Sequence, residues 1–330
     1  MFKLTVITLT IALAAIAVVA QTPPPTLRIV EPDGPNLPAE LFYGNVKVKP
    51  LRLRPGTNQV ITIDDSDFFV DQAYVDFLNR FPDTAGFGYW ISQITVCGSD
   101  QACIFNKRID VSNAFFFEQE YQQTAAYAYR LYRVSYGNNQ PSPNPDTSNL
   151  TESKKIPSYA VFKPDRAAVV GGSNLAQSQL DLANAFVLRP EFTNKYAPGL
   201  PLDQFVDAIL ATINSDLGVN LTSQRSALIA LGSRGMVLYR LADDNASNPI
   251  SNGPLINAEY NRAFVYSQYG GYLRRDSDIG GFLFWLGQVN SGPLRDVNKQ
   301  HAMVCSFITS DEWQLRFGNT VTHHNSECPH

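Results

Sequence analysis

Hydrophobic and polar positions change their period once along this chain. Residues 27–30, 46–49, 51–54 and 60–63 alternate apolar and polar side chains with period two, which predicts short strands or extended chain. Lys47, Lys49, Arg52 and Arg54 fall on that alternation and read as one solvated face. After Ser66 the spacing becomes helical, with Phe69, Val70, Ala73, Tyr74, Phe77 and Leu78 on one face behind the capping-competent run Asp64-Asp65-Ser66-Asp67. Pro82 ends that helix. Asp83 caps a second, whose Phe87, Trp90, Ile91 and Ile94 form a single apolar stripe. A helical hairpin with an aromatic core is predicted.

The hairpin is written twice. Phe69, Val70, Tyr74, Leu78, Arg80, Asp83, Gly86, Phe87, Trp90 and Gln93 recur, 195 positions on and without a gap, as Phe264, Val265, Tyr269, Leu273, Arg275, Asp278, Gly281, Phe282, Trp285 and Gln288. A second element occurs three times, as Ala114-Phe115 with Glu120-Tyr121, Ala185-Phe186 with Glu191-Phe192, and Ser306-Phe307 with Glu312-Trp313. The expected fold is mainly α, built of repeated helical hairpins behind a short extended or β-containing N-terminal segment. Its expected divisions are an export signal at 1–20, a Pro-rich extended or β segment at 21–66 and a repeat unit at 67–137. A linker loop at 138–165, a degenerate helical unit at 166–260, a repeat unit at 261–318 and a disordered tail at 319–330 follow.

The first division rests on Lys3, the uncharged apolar run 4–20, and Val18-x-Ala20 ahead of Gln21, which together read as a cleavable export signal. With the signal removed no span of a membrane is expected. In an oxidising compartment the four cysteines become candidates for disulfides, with Cys97–Cys103 the first choice and Cys305–Cys328 the remaining pair. The balance of 26 basic and 30 acidic side chains offers no field for a polyphosphate, so nucleic acid is not an expected partner.

The run Tyr74-x-x-x-Leu78-x-Arg80-x-Pro82-Asp83-x-x-Gly86-x-x-x-Trp90, followed by Val111-Ser112-x-Ala114-Phe115-Phe116 and Glu120-Tyr121, resembles the bacterial secreted family known as domain of unknown function 4214. Tyr269 to Trp285 is similar, with Ser277 in the place of the proline. The resemblance spans about residues 66 to 318, carries no activity, and extends distantly to the helical repeats of phycobilisome linker polypeptides, which are assembly proteins. The motif residues also have a folding rationale. Gly86 and Gly281 permit a close approach in the first turn, and Asp83 and Asp278 cap it. Arg80 and Arg275 sit at the end of the preceding helix and reach the aspartate three residues on, while Trp90 and Trp285 fill the hairpin interior. Arg80, Asp83, Trp90, Arg275, Asp278 and Trp285 are also the candidates for a binding junction.

Motifs for nucleophilic, zinc or nucleotide chemistry are missing from the sequence. His301, four residues before Cys305, lacks an orienting carboxylate. Asp243-Asp244-Asn245 reads as a polar loop ending a helix. No metal is assigned to the histidine-rich tail, no cofactor is expected, and no catalytic residue is named. The expected role is therefore a secreted, non-catalytic interaction or scaffolding protein of the cell envelope, periplasm or cell surface, with an envelope protein or an extracellular polymer as partner. The competing expectations are an extracellular hydrolase acting on polysaccharide and a glycan- or calcium-binding module.

Overall fold

The computed structural model describes the backbone of residues 27–30, 40–43 and 46–47, and then residues 62–117, 119–170, 174–317 and 321–328. Residues 1–20, read as an export signal, lie outside the described residues, as do Lys49, Arg52 and Arg54. Three strands, β1 (Leu27–Val30), β2 (Glu40–Tyr43) and β3 (Val46–Lys47), pair antiparallel in that order, Leu27 opposite Tyr43 and Tyr43 opposite Val46. Residues 62–65 close a turn, with the Asp65 amide donating to the Thr62 carbonyl at 3.1 Å, so the alternation at 60–63 does not continue as a strand there.

Helix α1 (Ser66–Ala73) runs into a π-helical turn at Tyr74–Leu78, and α2 (Thr84–Thr95), α3 (Gln101–Phe117) and α4 (Gln119–Gln123) complete the first copy. Helix α5 (Ala125–Tyr136) follows, and all twelve of its residues are buried. Next come α6 (Leu150–Ser153), α7 (Tyr159–Val170), α8 (Leu175–Phe186), α9 (Pro190–Lys195), α10 (Leu202–Leu217), α11 (Arg225–Ala230) and α12 (Arg234–Ala242). The second copy is α13 (Gly253–Gln268), a π turn at Tyr269–Leu273, α14 (Ile279–Asn290), α15 (Val297–Ile308) and α16 (Asp311–Gln314). Helices α4, α7, α10, α12 and α13 all pack on α5, which makes it the axis of the molecule.

The copies meet at equivalent places. Phe77 and Tyr272, 195 positions apart, contact edge-on with ring centroids 5.1 Å apart, and α3 packs on α15. Two equivalent segments touching each other at the same residue define an approximate two-fold axis. Gly271 makes the crossing feasible, because a Cβ there would stand 3.2 Å from the Phe77 ring and 3.4 Å from the Asp76 carbonyl oxygen. Asp76, its counterpart, is buried at the crossing and receives Arg316 at 2.9 Å, Arg274 at 3.5 Å and the Gln72 amide at 2.8 Å. Both π turns end on a left-handed residue that is not glycine, Asn79 (φ 56°) and Arg274 (φ 53°), so this conformation belongs to the motif and not to one local sequence.

Two divisions differ from expectation. The stretch 138–165 is more than a linker: it holds α6 and the start of α7, and Gln140 and Asn144 are buried with their amides donating to the Lys154 and Ile156 carbonyls, both at 2.8 Å. Proline and polar letters do not reveal this, since the backbone partners lie a dozen residues away. Within 319–330, residues 321–328 are docked and end in a 3₁₀ turn at Asn325–Glu327, with Gln314 gripping the Thr322 and His323 amides at 2.8 and 3.0 Å. Cys305 and Cys328 are bonded, as are Cys97 and Cys103, a pattern compatible with a non-cytoplasmic protein.

Candidate functional site

The hairpin junction is built from local rules applied twice. Asp83 stands in extended conformation before α2 and accepts the Gly86 amide at 2.9 Å, and Asp278 before α14 accepts the Gly281 amide at 2.6 Å. The bond to the Gly86 amide is the largest influence holding the Asp83 carboxyl below its ordinary value. Beneath each cap lies a buried tyrosine: a Cβ on Gly86 would stand 2.2 Å from the Tyr74 hydroxyl, and one on Gly281 2.4 Å from the Tyr269 hydroxyl. Each tyrosine packs edge-on against a phenylalanine, Tyr74 on Phe115 at 4.9 Å and Tyr269 on Phe307 at 5.0 Å, so its ring has little room to swing away. We expect Gly86→Ala and Gly281→Ala each to cost about 1–3 kcal/mol by overpacking. Chemical denaturation of the two variants checks this, and wild-type midpoints would show the close approach to be immaterial.

Arg80 and Arg275 lie over these tyrosines, 5.0 and 5.7 Å from the ring centres, but their main partner is not the aspartate three residues on. Asp83 and Asp278 are 3.8 and 4.0 Å away. Arg80 instead forks onto Glu120 with both contacts at 2.6 Å, and Arg275 forks onto Glu312 at 2.7 and 2.9 Å. The hydrogen bonds to these glutamates lead the causes that raise both guanidinium pKa values. The glutamate of the thrice-written element thus ties the end of the first helix to the helix after α3 or α15. Its recurrence beside an aromatic residue was the signal for it, while the arginine it serves lies 40 or 37 residues back.

The tryptophans correct the sequence expectation more directly. Trp90 and Trp285 are half-buried and lie at the edge of the core instead of filling it. Trp90 packs on Phe115 at 5.4 Å, with Tyr89 edge-on beside it at 4.9 Å; Trp285 has Phe284 edge-on at 5.0 Å. Tyr89 and Phe284 occupy equivalent positions and each is 56% exposed. Helices α2 and α14 contain no charged residue, and only Ile94 of α2 and Ile279, Phe282 and Val289 of α14 are buried. Each copy therefore turns outward an uncharged helix face that carries one exposed aromatic residue among small and polar neighbours.

The second of these copies coincides with a known family. Residues 255–323 match a domain of unknown function, DUF4214. No curated protein and no solved structure matches the chain. The DUF4214 segment spans α13 to α16 and reaches His323, and the junction at Arg275, Asp278, Gly281, Trp285 and Glu312 lies inside it. The first copy repeats this pattern in its aspartate cap, arginine–glutamate fork and edge-on tyrosine–phenylalanine pair. One turn departs from it: at Ser277, where the first copy has Pro82, the hydroxyl and carbonyl oxygens accept the Asn144 amide at 3.0 and 2.9 Å, and Asp146 accepts the Ile279 amide at 2.7 Å. The DUF4214 segment thereby holds the 138–149 loop, a task the first copy does not have.

The remaining sequence candidates have structural neighbours. Asp243 is buried, pairs with Arg240 at 2.9 Å and accepts the Asn245 amide at 3.0 Å, closing the loop after α12. His301 stands 3.8 Å from Asp110, and Cys305 beside it is taken up in its disulfide. Among the described residues no group of three or more metal-ligating side chains converges, and no helix is long and apolar enough to cross a membrane.

Proposed function

We propose that this chain is an exported, non-catalytic interaction protein of the cell envelope, and that it grips a protein partner through the paired faces of α2 and α14. The observation that carries the reading is the exposure of Tyr89 and Phe284, 56% each, at equivalent positions of helices free of charge. Exposed aromatic residues beside half-buried tryptophans are the composition of interface anchors. A partner that meets them does so by apolar contact and neutral hydrogen bonds, from Gln93 and Gln288 for example, and not by ion pairing. Two copies of one face allow bivalent engagement, which strengthens binding without new chemistry. Support for export comes from the 1–20 segment and from the two disulfides.

The test is retention of a partner from the native envelope by the mature protein and by a Tyr89→Ser/Phe284→Ser double variant. The expected result is retention that persists at about 1 M salt, where charge contacts are screened, and is lost in the double variant while its melting temperature stays within a few degrees of wild type. Equal retention by both proteins, or retention that requires calcium or a polysaccharide, would defeat the reading. So would turnover of a chromogenic glycoside abolished by changing a single acidic pair.

A further inference from the structure

The docked C-terminal segment carries one side chain whose surroundings demand a proton. His323 places Nε2 3.0 Å from Asp64 Oδ1 and Nδ1 2.8 Å from Glu327 Oε2. A carboxylate only accepts, and a neutral imidazole has a single N–H, so both contacts are hydrogen bonds only when both ring nitrogens are protonated. Losing a proton turns one of them into lone pair against lone pair. Asp64 stands at the entrance to α1, Glu327 in the last 3₁₀ turn, and this ring bridges the two.

We propose that His323 is a pH-controlled latch that clamps residues 321–327 onto the start of the helical body when charged and lets them loosen when neutral. The other groups facing it come from three elements. From α3, Phe105 stacks on the imidazole with centroids 5.3 Å apart, and the Arg108 guanidinium lies 3.5 Å from Nε2, bonds the Asp64 carbonyl oxygen and stands 3.5 Å from the Asp64 carboxylate. From α16, Gln314 holds the His323 backbone, accepting its amide at 3.0 Å and donating to its carbonyl at 2.8 Å. From the segment itself, the His324 amide donates to Glu327 at 2.8 Å, and the Thr322 hydroxyl helps to stabilise the Asp64 carboxylate. Among the described residues that contact the ring, Arg108 opposes a second positive charge, and the two carboxylates outnumber it.

The direction of titration follows the geometry. The Asp64 hydrogen bond leads the causes that raise the His323 pKa above its ordinary 6.5. The Asp64 carboxyl is lowered from 3.8, chiefly by the hydrogen bond to His323; Glu327 is lowered from 4.5 by His323 and the His324 amide against the opposing effect of burial. For the raised histidine, the stabilisation is fully present below 6.5 and is lost as pH rises through the folded value. For the lowered carboxyls it is present above 3.8 and 4.5 and lost as pH falls through their folded values. The latch is therefore tightest between pH 4.5 and 6.5 and releases on the alkaline side. Release is bounded, because Cys328 remains bonded to Cys305 on α15 and Arg108 continues to hold Asp64. Trp313 and Phe69, which line the same pocket as His323, become more accessible to solvent.

The experiment uses the full mature chain with both disulfides intact. The ring proton of His323, assigned by comparison with His323→Gln, is titrated by NMR, and amide exchange at 321–327 is measured at pH 5.5 and 8.5 with intrinsic rates corrected. A midpoint above that of a free histidine is expected, together with a loss of protection at the higher pH of about tenfold per unit of elevation. A midpoint at or below the free value, or equal protection at the two pH values, would overturn the latch. The exchange readout comes from the wild-type protein alone and so survives a poorly folding variant.

Discussion

Glu259→Ala is expected to destabilise the protein by about 3–5 kcal/mol, a large part of the stability of an ordinary domain. Arg133 on α5 donates to Glu259 on α13 at 2.7 Å through Nε and at 3.3 Å through Nη2, and both side chains are buried. Burial works against the charge of Arg133, and the Glu259 carboxylate together with Tyr129 and Asp216 more than offsets it, leaving the guanidinium pKa above its ordinary value. Without the glutamate a charge stays in the core, and Arg133 cannot withdraw freely because it also serves the Gly137 and Lys155 carbonyl oxygens, each at 2.6 Å. Equilibrium denaturation measures the loss. A change below about 1 kcal/mol, the scale of a solvated pair, would show that water reaches this pair.

Phe116→Ala is the second large effect, at about 3–5 kcal/mol. Its ring is fully buried on α3 and touches Tyr121 at 4.9 Å within its own copy, and Phe264 at 4.8 Å and Tyr260 at 5.1 Å in the other. The cavity would therefore open between the copies. Trp90→Ala should cost less, about 1–2 kcal/mol for the part of the ring that is covered, and Tyr89→Ser less still. Melting the three variants side by side checks the order. A Trp90→Ala penalty equal to that of Phe116→Ala would return the tryptophan to the core and weaken the case for α2 as a binding face.

Which parts of this were legible in the sequence depended on the range of the interaction. The caps at Asp83 and Asp278, the glycines three residues on and the Cys97–Cys103 bond span six residues or fewer, so their spacing carries the geometry. The Arg80–Glu120 and Arg275–Glu312 forks did not show, because each half of the pair looks complete beside its own neighbours. Helix α5 was not legible as the axis, because its four tyrosines and two arginines are residue types that surface helices also carry. Its buried Arg130 spends its donors on the Ala242 and Gln122 carbonyls, both at 2.7 Å. The tail at 319–330 read as disordered, because polar letters and histidines carry no apolar stripe, and what holds residues 321–328 is Gln314, the bond to Cys305 and a carboxylate 259 residues away.

By itself the sequence determined the helical class, the duplicated hairpin and its caps, since these rest on contacts within a turn or two of chain. Only the tertiary structure decided that the copies face each other across a near two-fold axis at Phe77 and Tyr272, that α5 threads between them, and that Tyr89 and Phe284 are left outside. The reason is that α2 and α14 carry aromatic residues beside the apolar stripe as well as on it and no charge to mark the outer side, so periodicity alone does not say how much of each ring is covered. That is settled by the packing of α1 and α3 against one and of α13 and α15 against the other, which covers one side of each helix and leaves Tyr89 and Phe284 to solvent.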